Sequence, residues 1–227
     1  MNGIRLLIDT SKCIGCKACQ MACQQWHSLP TEDTAFTGTY QNPPDMSAAS
    51  LTVTKFFEVA GTKLNWLFFK DQCRHCDEPP CRGCPLGAII RQGDGIVRID
   101  SARCFPDRCS RNAEKPCQEK CKFDEIPRYT YMKAGTLVAT KMRKCDFCYD
   151  RLPGGNSGGS GKPACEMACP AGAISFGNAD PIMVEAISRL KYLKSHGLPQ
   201  AKIYPEDSGS STHVVWILPL GEGVYGG

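Results

Sequence analysis

The stretch that decides the fold is Cys13-Ile14-Gly15-Cys16-Lys17-Ala18-Cys19-Gln20-Met21-Ala22-Cys23, which has the spacing C-x2-C-x2-C-x3-C. Three thiolates on one short loop can bind three corners of an iron–sulfur cube. We expect the fourth, Cys23, to begin a helix that leads away, so that it cannot easily reach the same cube. In bacterial proteins with two such cubes, this spacing delivers the fourth cysteine to the neighbouring cluster. The stretch therefore predicts a pair of [4Fe–4S] clusters.

Sixteen cysteines are present in this chain of 227 residues, and they fall into four groups of four. One [4Fe–4S] cluster takes four thiolates, so the count suits four clusters. The hydrophobic fraction of 42% includes these cysteines, so the conventional apolar core is small. We therefore expect the clusters to form part of the core, and the protein without them to fold poorly.

The predicted ligand sets follow the ferredoxin crossover, in which three ligands come from one group and the fourth from another. The four sets are Cys13, Cys16, Cys19 with Cys169; Cys145, Cys148, Cys165 with Cys23; Cys73, Cys76, Cys81 with Cys121; and Cys104, Cys109, Cys117 with Cys84. The group from Cys104 to Cys121 is the least regular, and Lys122 stands where a proline would be expected. A zinc site or free thiols in that group is the alternative.

Zinc sites and disulfides are the two other uses that sixteen cysteines could have. Structural zinc prefers separated C-x2-C pairs, whereas the first group has three cysteines within seven residues, which favours a cube. Disulfides are typical of secreted proteins, and cysteines at this close spacing are poorly placed to pair. Colour distinguishes these cases, because an iron–sulfur protein is brown and bleaches on reduction.

Charge and hydropathy exclude several function classes. The formal net charge of +4 is small and implies neither nucleic-acid nor membrane-surface binding. Met1 to Thr10 lacks the apolar region of a signal peptide. The longest apolar run near the end, Val214 to Leu218, is far below the ~20 residues of a membrane span. We therefore expect no membrane anchor in this chain, which is either soluble or held by a partner.

An internal repeat organises the chain. Residues 8–13 resemble residues 99–104, and residues 84–89 resemble residues 169–174. We therefore predict an α+β fold with two pseudo-repeated, bacterial-ferredoxin-like units of two clusters each. The predicted division is an outer unit at 1–26 plus 136–179, an inner unit at 63–135, an insertion at 27–62 and a C-terminal clasp at 180–227.

The clasp has a pattern of its own. Asp180 is predicted to cap a helix that has Pro181 at its first position, and Gly197 to end it. A last strand follows at 213–218, and we expect the clasp to lie over the outer cluster pair. The predicted apolar face of the helix consists of Ile182, Met183, Ala186, Ile187, Leu190 and Leu193. Further strands are predicted at 3–9, 51–57, 63–69, 87–90 and 96–100.

Some residues beside the cysteines have two interpretations. His75 either tunes a cluster or, as we favour, bonds to a backbone carbonyl. Trp26 and His27 are interpreted as packing residues. Lys141, Arg143 and Lys144 either raise the potential of a nearby cluster or form a solvated face. No Ser/His/Asp set, phosphate-binding loop or dinucleotide-binding glycine pattern is present, so nothing in the sequence indicates that the chain transforms a substrate.

The cysteine groups, with the closing run Lys144 to Leu152 and Pro163 to Ile174, resemble the iron–sulfur electron-transfer subunits of molybdenum or tungsten bis-pterin oxidoreductases. Four further motifs look more narrowly like the beta subunit of soluble, tungsten-type formate dehydrogenases. They are Cys23-Gln24-Gln25-Trp26-His27, Gln41-Asn42-Pro43-Pro44-Asp45, Trp66-Leu67-Phe68-Phe69 and Asp71-Gln72-Cys73-Arg74-His75-Cys76.

This resemblance implies that the chain relays electrons between a large metal–pterin catalytic subunit, which interconverts formate and carbon dioxide, and a soluble acceptor or further subunit. It implies export to the periplasm together with that catalytic subunit, with the cytoplasm as the alternative. Relatives with three clusters lack the set corresponding to Cys84, Cys104, Cys109 and Cys117, which this chain keeps. The alternative is the matching subunit of a polysulfide, thiosulfate, sulfoxide or aldehyde enzyme, and the remotest is a zinc-stapled interaction module.

Overall fold

The computed structural model describes residues 3–61, 64–111, 114–123, 127–129, 141–153, 160–206 and 212–225. The strands are β1 (Ile4–Asp9), β2 (Thr52–Val59), β3 (Asn65–Gln72), β4 (Ile89–Arg91), β5 (Val97–Ile99), β6 (Arg128–Tyr129), β7 (Met142–Arg143), β8 (Ile174–Asn178), β9 (Lys202–Tyr204) and β10 (Val214–Leu218). The helices are α1 (Ala18–Trp26), α2 (Pro106–Cys109), α3 (Pro116–Glu119), α4 (Ala164–Met167) and α5 (Ala179–Ser195), with single 3-10 turns at Pro80–Arg82 and Tyr149–Arg151. The border predicted between the inner and outer units, at residues 135 and 136, lies outside the described residues.

A four-stranded sheet in the order β8-β1-β10-β9 combines strands from near both ends of the chain. The strand β1 pairs antiparallel with β8 and parallel with β10, so the last strand of the chain lies beside the first. Every residue of β10 is buried, which is typical of a strand covered on both faces. On one face Leu6, Ile8 and Trp216 pack towards the cysteine loops, whereas Leu7 and Val215 face α5.

The helix α5 therefore covers the face of the sheet that points away from the cysteines. The expectation that the C-terminal clasp lies over the outer cluster pair is therefore wrong for α5, whereas β10 faces the cysteine loops as an internal strand of the sheet. The predicted cap was also wrong: Asn178 precedes the helix, and Asp180 is in its first turn. Ile187 is 57% exposed, so it does not belong to the buried face.

The predicted end of α5 is confirmed in detail. Gly197 has a φ of +88°, in the left-handed region that a residue with a Cβ avoids. The backbone N–H of Leu198 donates to the carbonyl of Leu193 at 3.0 Å, which is the bond that closes a Schellman motif. The helix ends at Ser195 because this turn satisfies its last free carbonyls.

The predicted insertion at 27–62 ends in one strand of a long hairpin. The strands β2 and β3 pair over eight residues, from Thr52 opposite Gln72 to Val59 opposite Asn65. The second strand extends to Gln72, three residues beyond the predicted 63–69, and therefore runs directly into the second cysteine group. Its C-terminal half is buried beneath the sheet, where Phe69 stacks on Trp216 at 5.1 Å.

The two copies of the internal repeat adopt the same local structure. Ile8 pairs with Ile174 across β1 and β8, and Ile99 pairs with Ile89 across β4 and β5. The residues that align in sequence thus occupy the same positions in two short antiparallel pairs. Matching backbone bonds follow, from the N–H of Asp9 to the Ala173 carbonyl (2.8 Å) and from the N–H of Asp100 to the Ala88 carbonyl (2.7 Å).

Candidate iron–sulfur sites

Site A consists of Cys13, Cys16, Cys19 and Cys169, which line one cavity. The strand β1 delivers the first cysteine loop, and Cys169 lies in the turn between α4 and β8. Cys16 is the only exposed cysteine among the sixteen, so site A reaches the surface of the molecule. These four residues are one of the ligand sets predicted from the ferredoxin crossover.

Site B consists of Cys23, Cys145, Cys148 and Cys165, which line a second cavity. The expectation that Cys23 begins the helix was wrong, because α1 begins at Ala18 after Lys17, whose φ of +60° is left-handed. The helix consequently carries Cys19 to site A and Cys23 to site B, four residues apart on the same side. One helix thus connects the two outer sites.

Sites C and D belong to the inner part of the chain. Site C consists of Cys73, Cys76, Cys81 and Cys121, which line a third cavity. Site D consists of Cys84, Cys104, Cys109 and Cys117. Besides burial, the neighbouring Cys84, Cys104 and Cys109 raise the pKa of Cys117, so the four thiols lie close together. Cys104 and Cys117 also pack in one hydrophobic cluster with Cys81 of site C. The irregular third group therefore still brings its cysteines together with Cys84.

Three of the cysteine loops share one backbone feature. The residue before the second cysteine has a left-handed φ: +65° at Gly15, +50° at His75 and +58° at Phe147. Successive N–H groups in such turns point into a concave space that favours anions. Each site also has a backbone N–H aimed at a sulfur, namely Ala173 to Cys169 (3.3 Å), Ala164 to Cys148 (3.5 Å), His75 to Cys73 (3.5 Å) and Met142 to Cys104 (3.3 Å).

The thiols are held in surroundings that disfavour a free thiolate. Burial raises the pKa of Cys13 to about 11, and burial together with the nearby Cys73 raises the pKa of Cys81 to about 12. Burial and the neighbouring Cys84 do the same for Cys117, whose pKa is raised to about 12. Without a metal these thiols keep their protons at neutral pH. An iron that binds the sulfur would displace the proton.

Buried polar atoms support the fit of a cluster. Gln72 is fully buried and lines site B, and its amide Nε2 has no hydrogen-bond partner within the described part of the chain. An unpaired buried N–H costs ~1–3 kcal/mol, which a sulfur acceptor would recover. Four soft ligands in each of four sets, with N–H donors around them, fit [4Fe–4S] clusters.

A stacked ring pair connects sites B and C. His75, between two cysteines of site C, stacks on Phe147, between two cysteines of site B, at 3.7 Å between ring centroids. The prediction that His75 bonds to a backbone carbonyl was wrong, because its Nδ1 accepts the backbone N–H of Val97 at 3.1 Å. Burial, and secondly the charge of Lys144, hold the pKa of His75 well below its usual value, so the ring is neutral.

The other residues singled out from sequence have mixed roles. His27 contacts site B, where its Nε2 lies 3.7 Å from the sulfur of Cys148, whereas Trp26 packs beneath Arg151 and donates to Asp150. Lys144 is buried and lines site C, so it is not a solvated residue. Lys141 lies over the Phe105 ring and donates to the carbonyl of Ser101, and Arg143 is part of β7.

Sequence reasoning missed Lys70. This lysine lies in β3, is 2% exposed and lines both site A and site B. Burial by itself would lower its pKa, but the cysteine sulfurs around it, Cys165 and Cys19 first, raise it overall. The signal was a lysine directly after the apolar run Trp66 to Phe69 and within a predicted strand's continuation into the second cysteine group.

Within the described ranges, no helix combines the length and the apolar content needed to cross a bilayer.

Comparison with known proteins gives a consistent result. A family model for a 4Fe-4S dicluster domain matches residues 64–179, and one for a 4Fe-4S binding domain matches residues 5–25.

Three relatives cover most of the chain. It is 39% identical to the iron–sulfur subunit of the nitrate-inducible formate dehydrogenase of Escherichia coli (strain K12), over 93% of this chain and 67% of that protein. It is 34% identical to the formate dehydrogenase 2 subunit beta (cytochrome c-553) of Nitratidesulfovibrio vulgaris, over 93% and 91%. The electron transfer subunit PhsB of a Salmonella typhi thiosulfate reductase is 33% identical, over 79% and 78%.

The identity to formate dehydrogenase subunits and the match to the dicluster model, together with the cysteine geometry, identify the family. The chain belongs to the iron–sulfur subunits of formate dehydrogenases.

Proposed function

We propose that this chain relays electrons in a formate dehydrogenase and carries four [4Fe–4S] clusters, one in each of sites A to D. Each bound cluster would supply one-electron transfer chemistry at a potential that the surrounding residues set. The observation that carries the proposal is the arrangement of sixteen cysteines into four sets of four, with every set close to the next.

The sites follow one another through shared residues. Lys70 lines sites A and B, the stacked His75 and Phe147 connect B to C, and Cys81 of site C packs in one cluster with Cys117 of site D. These shared residues order the sites as A, B, C and D in a row. Site A is at one end of this row, and its Cys16 is exposed. We propose that one end of the row faces the catalytic subunit and the other faces the acceptor.

The double ferredoxin-like organisation is part of this proposal. The matched pairs Ile8 with Ile174 and Ile99 with Ile89 support two units that share one local plan. The outer unit would hold sites A and B and the inner unit sites C and D, with the insertion 27–62 and the C-terminal segment 180–227 added to them.

We further propose that the partner is a large subunit with a molybdenum or tungsten pterin, that electrons pass to a soluble acceptor or a further subunit, and that the complex resides in the periplasm. The cytoplasm is the alternative location. The relatives named for formate dehydrogenase support the partner, whereas the thiosulfate reductase relative keeps another pterin enzyme as the second candidate.

The test is anaerobic purification of the complex from its host. We expect about sixteen irons and as much acid-labile sulfide per chain, because each of the four sites takes four irons. Formate should bleach the brown colour when the large subunit is present and not when it has been removed. Return of the brown colour when thiosulfate is added to the chemically reduced complex, with no bleaching by formate, would favour the second candidate. Cell fractionation assigns the compartment.

A further inference from the structure

A buried lysine lies between two of the cysteine sites. The side chain of Lys70 is 2% exposed and lines both site A and site B. The sulfurs around it include those of Cys19 of site A and of Cys23, Cys145 and Cys165 of site B. A lysine is almost never fully buried unless something of opposite charge compensates it.

No carboxylate compensates this ammonium in the described part of the chain. Its Nζ donates to the side-chain oxygen of Gln72, which is a neutral amide. Asp71, the adjacent carboxylate, is bound instead by Lys55 and Arg74 and lies on the other side of the strand. Among the described residues, the groups left to compensate Lys70 are therefore the cysteine sulfurs of the two sites, which become negative when they bind iron.

The position of Lys70 is fixed by the backbone around it. It pairs with Thr54 inside the hairpin of β2 and β3, and its carbonyl accepts the indole N–H of Trp216 at 3.0 Å. Trp216 is itself fully buried in β10. The backbone of Lys70 is thus held in place by two strands, and its side chain is buried between the two sites.

We propose that Lys70 is the shared countercharge of sites A and B, and that it raises the reduction potentials of both outer clusters together. This inference rests on the proposed cluster content of the chain. When an electron from formate or from a chemical reductant reaches either site, that site gains one negative charge. No bond forms or breaks, no proton moves, and the ammonium stabilises the added charge.

A shared countercharge has a direct consequence for the electron relay. Because one charge acts on both sites, it raises both potentials. Lys144 offers the matching case at site C: it is buried and lines that cavity, and it donates to the carbonyls of Val97 and Cys145. Each lysine should therefore act on its own sites.

The test is a redox titration followed by electron paramagnetic resonance on the cluster-loaded complex. In Lys70→Met, which keeps the length of the side chain and removes the charge, we expect lower midpoint potentials at sites A and B and unchanged ones at C and D. Lys70→Arg should retain the original potentials. Lys144→Met should lower the potential at site C instead.

Two results would overturn the inference: four unchanged midpoint potentials in Lys70→Met at full iron content, or the same shift in Lys70→Arg as in Lys70→Met. If Lys70→Met loses iron, Lys70→Gln repeats the measurement, and loss of iron from both neutral variants would show a structural residue and reject the role. Iron content separates the two proposals, because wild-type protein without clusters refutes the proposed function itself.

Discussion

The stacked ring pair between sites B and C gives the sharpest test of how the residues around these two sites are held together. Phe147 is 1% exposed, stacks on His75 at 3.7 Å and meets the edge of Phe176 at 5.5 Å. Truncating a buried phenylalanine to alanine costs ~3–5 kcal/mol, a figure that includes the cavity left behind. Phe147→Ala should therefore destabilise the folded protein by at least ~3 kcal/mol.

This magnitude converts to a rate, because iron–sulfur proteins that lose their clusters do not refold and their stability is kinetic. If the whole cost appears in the unfolding barrier, the variant loses its brown absorbance on the order of 100-fold faster in urea. The assay is the bleaching rate at fixed temperature and urea without oxygen. The control is Phe36→Ala, since Phe36 is 81% exposed and its loss should change the rate about twofold or less. Equal bleaching rates for the two variants would refute the idea that this pair holds the surroundings of sites B and C together.

Three further changes have matched readouts. Cys109→Ala should remove about four irons and leave the other clusters formed, and unchanged iron would mean that site D is not a cluster site. Gly95→Ala would place a Cβ 2.0 Å from a buried histidine ring at a φ of +96°, so it should lower the unfolding free energy by several times more than Gly93→Ala, whose Cβ would meet nothing within 4 Å. Ile182→Ala should cost ~2–4 kcal/mol and the exposed Ile187→Ala about 0.5 kcal/mol or less, measured by thermal bleaching; equal losses would contradict the assigned helix face.

Much of the site could be predicted because its determinants are local. The cysteine spacings, combined with the ferredoxin crossover, predicted the four sets that the structure brings together. The aligned residues around Ile8 and Ile99 pointed to equivalent strand pairs. Cysteine loops are short, so spacing alone limits which sulfurs can meet. The end of α5 was predictable for the same reason, since Gly197 determines the turn by its own backbone freedom.

The remaining features depend on contacts between distant parts of the chain. The strand β10 pairs with β1 across some two hundred residues, and no local pattern says that it lies inside the sheet beside the first strand. Ile187 fits the helical period but lies beyond the edge of the sheet contact. Lys70 looked like one polar residue in a strand, and only the packing of β3 between two cysteine sites shows where its charge lies.

The most direct test of the central claim is the iron and acid-labile sulfide content of the chain after anaerobic purification. Four occupied sites predict about sixteen atoms of each per chain, with no zinc. A colourless protein that contains zinc or no metal would contradict the assignment of the four cysteine sets and, with it, the electron-transfer role.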